Sequence, residues 1–260
     1  MRLLVTGGRT GYLGGHVVRT ALAAGQEAVG VSTVDADLRD RVAVDAMLEL
    51  HRPDVVVHTA YVQSDWDATA TGAAHVALAA ARFGARLVLV SSDVVFSGSA
   101  HSYDETARPD PITSYGAAKA AAETVALTAC ENVVVARTSL ILGDGHSPHE
   151  RLVHDLAGGA SGALFNDELR CAVHVEDLAA ALVELALGDF RGVLHVGGAD
   201  PLSRLELGRL VAARDGLDPA VLRGSSRAAL EVPGPRELRL DSHLAADVLT
   251  TRLRGAREFL

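Results

Sequence analysis

The sequence predicts an α/β fold, a doubly wound parallel sheet with a small C-terminal substrate-binding lobe. Two observations carry this prediction. Short β-rich apolar runs alternate with alanine-rich helical stretches along most of the chain, the pattern of successive strand–helix–strand units. The first run also opens straight into a glycine-rich turn, VTGGRTGYLGG, that leads into the first helical pattern. A strand, a glycine turn and a helix in that order form the setting in which a dinucleotide pyrophosphate is held.

Taken in order, the strand-like runs are Leu3–Thr6, Ala28–Val31, Asp54–Thr59, Arg86–Ser91, Asn132–Arg137 and Val193–Gly197. Helical patterns lie between them at Tyr12–Ala24, Arg41–Leu50, Thr71–Phe83, Tyr115–Cys130 and Asp177–Leu187, with Gly25 placed to end the first. Pro109–Pro111 and Pro233–Pro235 read as loops. The stretch Gly143–Arg170 is polar and glycine-rich, and residues 201–260 are irregular with helical patches. Neither segment is long enough for a core of its own. The expected division is therefore a dinucleotide-binding core over 1–142, to which 171–200 returns, and a lobe made of 143–170 and 201–260. The lobe should cover the C-terminal ends of the strands, where ligands bind in this architecture.

Composition narrows the function. Hydrophobic residues make up 48% of the 260 and the mean hydropathy is +0.20, enough for an ordinary buried core. Aromatic residues are only 4%, so that core must come from Ala, Val and Leu. The formal charge of −9, with no basic block anywhere, disfavours a nucleic-acid partner, which needs clustered cations. The two cysteines, Cys130 and Cys171, have neither metal nor disulfide spacing and fit a reducing compartment. The chain opens on a strand without a basic leader, and no apolar stretch is long enough to span a bilayer. These features lead us to expect a cytoplasmic protein with no membrane partner; a homodimer is left open.

The glycine turn contains Gly8-x-x-Gly11-x-x-Gly14, preceded by Gly7. Glycines there permit the tight turn and the close approach of backbone to pyrophosphate, while the helix N-terminus receives the negative charge. There is no Gly-Lys-Ser/Thr, so the turn is not a P-loop. A site for NAD usually ends its second strand on an acidic residue that binds the ribose 2′-hydroxyl. Here Ser32 and Thr33 stand in that place, and Arg9 in the turn could reach a 2′-phosphate, which favours NADP(H). Asp35 keeps NAD(H) open. Arg9 also reads as a solvated loop residue.

Lys119 is the only lysine, against 24 basic residues in all, and it lies four residues after Tyr115 in SYGAAK. A chain that otherwise uses arginine keeps lysine where a compact ammonium with rotating donors is needed. Tyr-x-x-x-Lys on a helix puts both side chains on one face. A cation there is expected to favour phenolate and so lower the tyrosine pKa.

With the glycine turn, LVSSDVVFSG and SYGAAKAAAE in order, the chain resembles the extended short-chain dehydrogenase/reductases. Within them it is most similar to the dTDP-4-dehydrorhamnose reductase branch, whose members reduce the 4-keto group of nucleotide-activated deoxysugars. The likeness covers most of the chain and implies a Rossmann core. DADLRD resembles the segment after the second strand, which implies that Asp37 and Leu38 lie near the adenine. HRPDVVVHTAYV resembles the third strand, implying His58, Thr59 and Ala60 beside the cofactor. SSDVVF resembles the Ser/Thr-Asp-x-Val-Phe segment, implying that Ser92 supplies the catalytic hydroxyl. AVHVEDLAAAL, GVLHVGG and PRELRLDSHL resemble later segments of the family. Three features depart from its pattern. The glycine turn carries one extra residue, Thr69 stands where asparagine is common, and RCAV replaces a Pro-Thr pair next to the sugar pocket. The Thr69 departure leaves a backbone-locking contact in question.

Carbonyl reduction needs a proton donor at the carbonyl oxygen, a group that polarises it, and a dinucleotide held in line. Tyr115 is the expected general acid, Lys119 its pKa partner and ribose contact, and Ser92 the hydrogen-bond donor to the carbonyl oxygen. Ser91 could face the site instead, since neighbours on a strand point oppositely. The expected cofactor contacts are Thr6, Gly8, Arg9, Thr10, Gly11, Tyr12, Leu13, Gly14, Ser32, Thr33, Asp37, Leu38, Thr59, Ala60, Tyr61, Tyr115, Lys119 and Arg137. Arg137 reads equally well as a structural ion pair. The expected substrate contacts are Ser92, Asp93, Val94, Trp66 and His174, although Trp66 could instead cover the sheet edge and His174 could be structural. His146 and His149 in GDGHSPHE lack a third ligand, so no metal site is expected. Asp177 reads as a helix N-cap. The expected function is reduction of a nucleotide-linked 4-ketosugar. A non-catalytic cofactor-binding subunit and a sugar-nucleotide epimerase or dehydratase, the latter resting on Asp93 alone, are the alternatives.

Overall fold

The computed structural model describes residues 1–231 and 234–260. β1 (Arg2–Thr6), α1 (Tyr12–Ala23), β2 (Glu27–Val31), α2 (Arg41–His51), β3 (Val55–His58), α3 (Gly72–Phe83), β4 (Arg86–Ser92), α4 (Ser114–Ala129) and β5 (Val133–Thr138) follow in strict alternation. The chain then runs through β6 (Ile141–Leu142), α5 (Pro148–Ala157), β7 (Leu164–Phe165), β8 (Leu169–Cys171) and β9 (Val173–His174). It returns to the main sheet with α6 (Val175–Leu187) and β10 (Gly192–His195). β11 (Pro201–Ser203), α7 (Arg204–Arg214), β12 (Gly224–Ser225), β13 (Glu237–Leu238), α8 (His243–Val248) and α9 (Ala256–Phe259) complete it. All the strands and helices expected from the sequence are present, with ends that differ by a few residues. The third helix is longer than expected because a π-helical turn, Asp67–Thr71, runs into it. Pro109–Pro111 lies outside regular structure as expected, while Pro233 in the second expected loop lies outside the described residues.

The six-stranded sheet has the order β10-β5-β4-β3-β1-β2, and every pairing in it is parallel. The chain passes from β1 through α1 to β2 on one side and returns through α2 to β3 on the other. This is the switch point where crevices open in doubly wound sheets. Period-two alternation sends each strand's residues to opposite faces. Leu3, Val5, Val55, Val57, Val88 and Val134 pack with α1 and α6, and Leu4, Val56, Leu87, Leu89, Val133 and Val135 pack with α2, α3 and α4. With so few aromatics, the helices press close to the sheet through alanines such as Ala77, Ala80, Ala122 and Ala179, all at most 1% exposed.

Segments 143–170 and 201–260 meet each other above the strand ends. β8 pairs antiparallel with β11 and parallel with β13, and β7 pairs with β12. Val153, Leu164, Leu205, Val211, Ala212 and Leu222 form a separate small core between α5 and α7. One expectation for the helices is corrected. Asp177 does not cap α6; His174 does, its Nδ1 accepting from the Glu176 amide at 3.2 Å. The Asp177 carboxylate is taken by the Arg254 guanidinium at 2.7 Å.

Candidate active site

A cleft of about 1190 Å³ runs from the β1–α1 turn, over the strand ends, to the lobe. Gly7 has φ +72°, a conformation that glycine adopts without penalty. A side chain on Gly11 or Gly14 would run into the Gly7 carbonyl oxygen. Bare backbone at the start of a helix is the kind of site that can receive a phosphate. The extra residue in the turn is absorbed, because Gly8 donates to Val5 at 3.1 Å and Gly11 to Gly7 at 2.9 Å. Gly8 itself is corrected: it does not line the cleft. A Cβ there would stand 2.6 Å from the Gly30 Cα, so Gly8 lets the turn pass over β2. Thr6, Thr10, Tyr12 and Leu13 line this end. The Tyr12 hydroxyl donates to Asp144 at 2.6 Å, tying the turn to the loop before α5. Thr59 donates to the Thr6 carbonyl at 2.7 Å, which joins the ends of β1 and β3.

The far side of this end holds Ser32, Thr33, Asp37, Leu38 and Arg39. Arg9 is 56% exposed, pairs with Asp35 at 3.0 Å, and lies outside the cleft wall. Beside Ser32 and Thr33 the cleft wall carries Arg39, held by Asp37 at 2.7 Å and Asp65 at 3.3 Å. Its place after Asp37-Leu38 was the available sequence signal. Thr69 answers the question its departure raised. Its hydroxyl donates to the Val62 carbonyl at 2.8 Å and accepts from the Val62 amide at 3.1 Å, locking the loop after β3.

At the centre, β4 delivers Ser91 and Ser92, and the start of α4 delivers Tyr115 and Lys119. The choice between the serines is decided by partners. Ser91 donates to Glu123 at 2.5 Å, and Glu123 is in turn gripped by Arg137 at 2.8 Å. Ser92 stays at the site, where its hydroxyl favours the phenolate of Tyr115. Burial outweighs that contact, and with Tyr61 and Asp93 it raises the Tyr115 pKa above the ordinary phenol value. The expected net lowering is therefore corrected: the net direction is upward. The Lys119 ammonium, 4% exposed, donates to the Val90 carbonyl at 2.8 Å and lies 5.2 Å from the centre of the Tyr61 ring. Tyr61 in turn sits 5.5 Å from the Tyr115 ring. Burial lowers the Lys119 pKa to about 8.

The lobe end is charged and was largely missed. Asp93 is 3% exposed. It accepts from Ser139 at 2.6 Å and Ser92 at 3.2 Å, and Arg170 lies 3.7 Å away. Burial raises the Asp93 pKa. Arg170 also pairs with Glu168 at 3.0 Å. Val94, Ser139, His149, Glu168, Arg170 and Arg204 all line this end with Asp93. The departure RCAV contained Arg170, and that was the signal for this cluster. Three expected contacts are corrected. Arg137 is 3% exposed, buried against Glu123 by its register on β5. Trp66 is 50% exposed, since the turn it precedes buries Thr69 and Ala70 instead. His174 caps α6 and meets Phe259 edge-on at 5.0 Å, away from the cleft wall.

A family model described as the RmlD substrate binding domain matches residues 1–259. The chain belongs to this family. Its similarity to curated relatives extends over most of the chain. A dTDP-4-dehydrorhamnose reductase of Mycobacterium tuberculosis is 32% identical over 253 residues, covering 90% of this chain and 82% of its own. A dTDP-4-keto-6-deoxy-D-glucose reductase of Streptomyces niveus is 28% identical over 235 residues, covering 85% and 81%. The crystal structure of dTDP-4-dehydrorhamnose reductase from Bacillus anthracis, in complex with NADP, superposes with a TM-score of 0.89 at 21% identity. It covers 99% of this chain and 96% of that one, a likeness of fold. For this RmlD-family chain, no helix among the described residues is long and apolar enough to cross a membrane.

Proposed function

We propose that the protein is an NADP(H)-dependent reductase of a nucleotide-linked 4-ketosugar, with NAD(H) as a weaker second cofactor. The observation that carries this reading is the meeting of Ser92, Tyr115 and Lys119 in one cleft with the glycine turn at its other end. Family membership supports it, as do the reductase names of several of its relatives. A dinucleotide fits the residues present. The Gly7–Gly14 cradle is free of side chains where phosphates would lie, and Ser32, Thr33 and Arg39 offer hydroxyls and a cation for the adenosine end. When bound, the cofactor supplies a hydride to the carbonyl carbon.

The protein's own groups supply the rest. Tyr115 donates its phenolic proton to the carbonyl oxygen, and Ser92 stabilises the charge developing there. The phenolate left on Tyr115 sits one helical turn from the Lys119 ammonium, which can stabilise it and restore the phenol. The lobe covers the strand ends and keeps water from the reacting carbon. A dehydratase needs a carboxylate free to act as a base, whereas Asp93 is occupied by Ser139 and Arg170. A purely binding subunit would have no use for the Ser92–Tyr115–Lys119 set.

Thermal unfolding with ligands tests the reading, since a ligand that binds the native state raises the melting temperature by mass action. NADPH should stabilise more than NADH at equal concentration, and a dTDP-linked sugar should add to the effect of NADPH. If no dTDP-, UDP- or GDP-sugar adds stability beyond NADPH, the reading is wrong.

A further inference from the structure

His149 is the second residue of α5, and it turns inward rather than toward solvent. It is 6% exposed and lines the lobe end of the cleft beside Leu152, Phe165, Glu168 and Arg204. Among the described residues, neither of its ring nitrogens has a hydrogen-bond partner. A buried polar group without partners is costly and is normally completed by something. The backbone under this ring is fixed. Ser147 and Glu150, each 0% exposed, form a reciprocal cap at the start of α5. Glu150 also accepts from the Gly143 amide at 3.0 Å and from Arg214 at 2.7 Å.

The chemistry of the ring selects its partner. Burial, and then the charge of Arg204, push the His149 pKa down to about 3. The ring is therefore neutral under working conditions, with one N–H donor and one bare nitrogen acceptor. A hydroxyl is both donor and acceptor and can satisfy either nitrogen. A phosphate oxygen accepts only and carries charge, so it suits Arg151 and Arg204, which line the same end.

We propose that His149 is a substrate-recognition residue that hydrogen-bonds a hydroxyl of the sugar from the lobe side of the cleft, an inference that rests on the nucleotide-sugar reading above. It acts on which sugar is held, while Tyr115 and Ser92 act on the carbonyl.

Calorimetric titration of the NADP-saturated protein with dTDP-rhamnose and with dTDP alone separates the sugar contact from the nucleotide contacts. His149→Phe keeps an aromatic ring of similar breadth and removes both polar atoms. It should weaken dTDP-rhamnose binding by roughly tenfold and change dTDP binding by less than about twofold. His149→Gln, which restores a donor and an acceptor, should recover most of the loss. Unchanged dTDP-rhamnose affinity in His149→Phe overturns the proposal, as does an equal loss for dTDP. If the wild type binds neither ligand, the nucleotide-sugar reading fails and the proposal fails with it. If the wild type binds both and only the His149 result is negative, the proposal fails alone. The imidazole nitrogen NMR signals of wild-type His149 give a check that needs no variant. They should move on adding dTDP-rhamnose and stay fixed on adding dTDP, and signals that ignore the sugar overturn the proposal.

Discussion

Lys119 donates to the Val90 carbonyl from a position that is 4% exposed, where a planar guanidinium with five donors would have to displace its neighbours. Lys119→Arg keeps the charge but should shift Tyr61 and Tyr115, and turnover should fall by roughly 10²-fold. Steady-state assay of protein that still binds NADPH checks this, and wild-type turnover would contradict it. The spacing Tyr-x-x-x-Lys marked the pair in the sequence, but the direction of the Tyr115 pKa was not legible there. Burial sets that direction, and burial depends on the strand ends and on Tyr61. His58 shows a second consequence of burial. Its Nδ1 lies 2.7 Å from the Thr6 hydroxyl, and burial, with Lys119 adding, pushes its pKa down to about 3. The unfolded chain takes up this proton near pH 6.5, so the stability it supports is complete above that pH and is lost as pH falls toward 3. At about pH 5 the loss is roughly 2 kcal/mol. Urea unfolding at about pH 7.5 and about pH 5 should show a smaller acid loss in His58→Leu, by about that amount. An identical acid loss in both proteins would show that His58 is not the group responsible.

Between elements, the decisive contacts join parts far apart in the chain. Glu150, fully buried at the start of α5, is held by Arg214 at the end of α7. Arg214→Ala would leave that buried carboxylate without its charged partner, and stability should fall by about 3 kcal/mol. Denaturant unfolding of the variant measures this, and a loss near zero would mean that water replaces the guanidinium. The strands and helices of the main sheet were legible because each carries its own period and its own apolar face. The lobe was legible only as an irregular region. Its strands are two or three residues long, and β8 finds its partners in β11 and β13, beyond α6 and β10. Caps were read by residue type alone, and so Asp177 was taken for the cap that His174 supplies. The serine pair has the same lesson: only the placement of Glu123 shows which hydroxyl is committed to the interior.

Over the whole molecule, the sheet brings the glycine cradle, the Ser92–Tyr115 pair and the charged lobe wall to one cleft in that order. The glycine turn, Ser92 and the Tyr115–Lys119 pair could be read from motifs, since each motif has a fixed spacing within one segment. The lobe wall could not, because Asp93, His149, Glu168, Arg170 and Arg204 come together from separate segments with no shared spacing. The arrangement as a whole makes one central claim, that the proton delivered to a ketosugar oxygen comes from Tyr115. The direct measurement is single-turnover oxidation of bound NADPH by a dTDP-4-keto-6-deoxysugar, in the wild type and in Tyr115→Phe. The variant keeps the ring and its packing, so NADPH binding should be preserved while the rate falls by roughly 10²–10⁴-fold. NADPH oxidation at the wild-type rate in Tyr115→Phe would contradict the account.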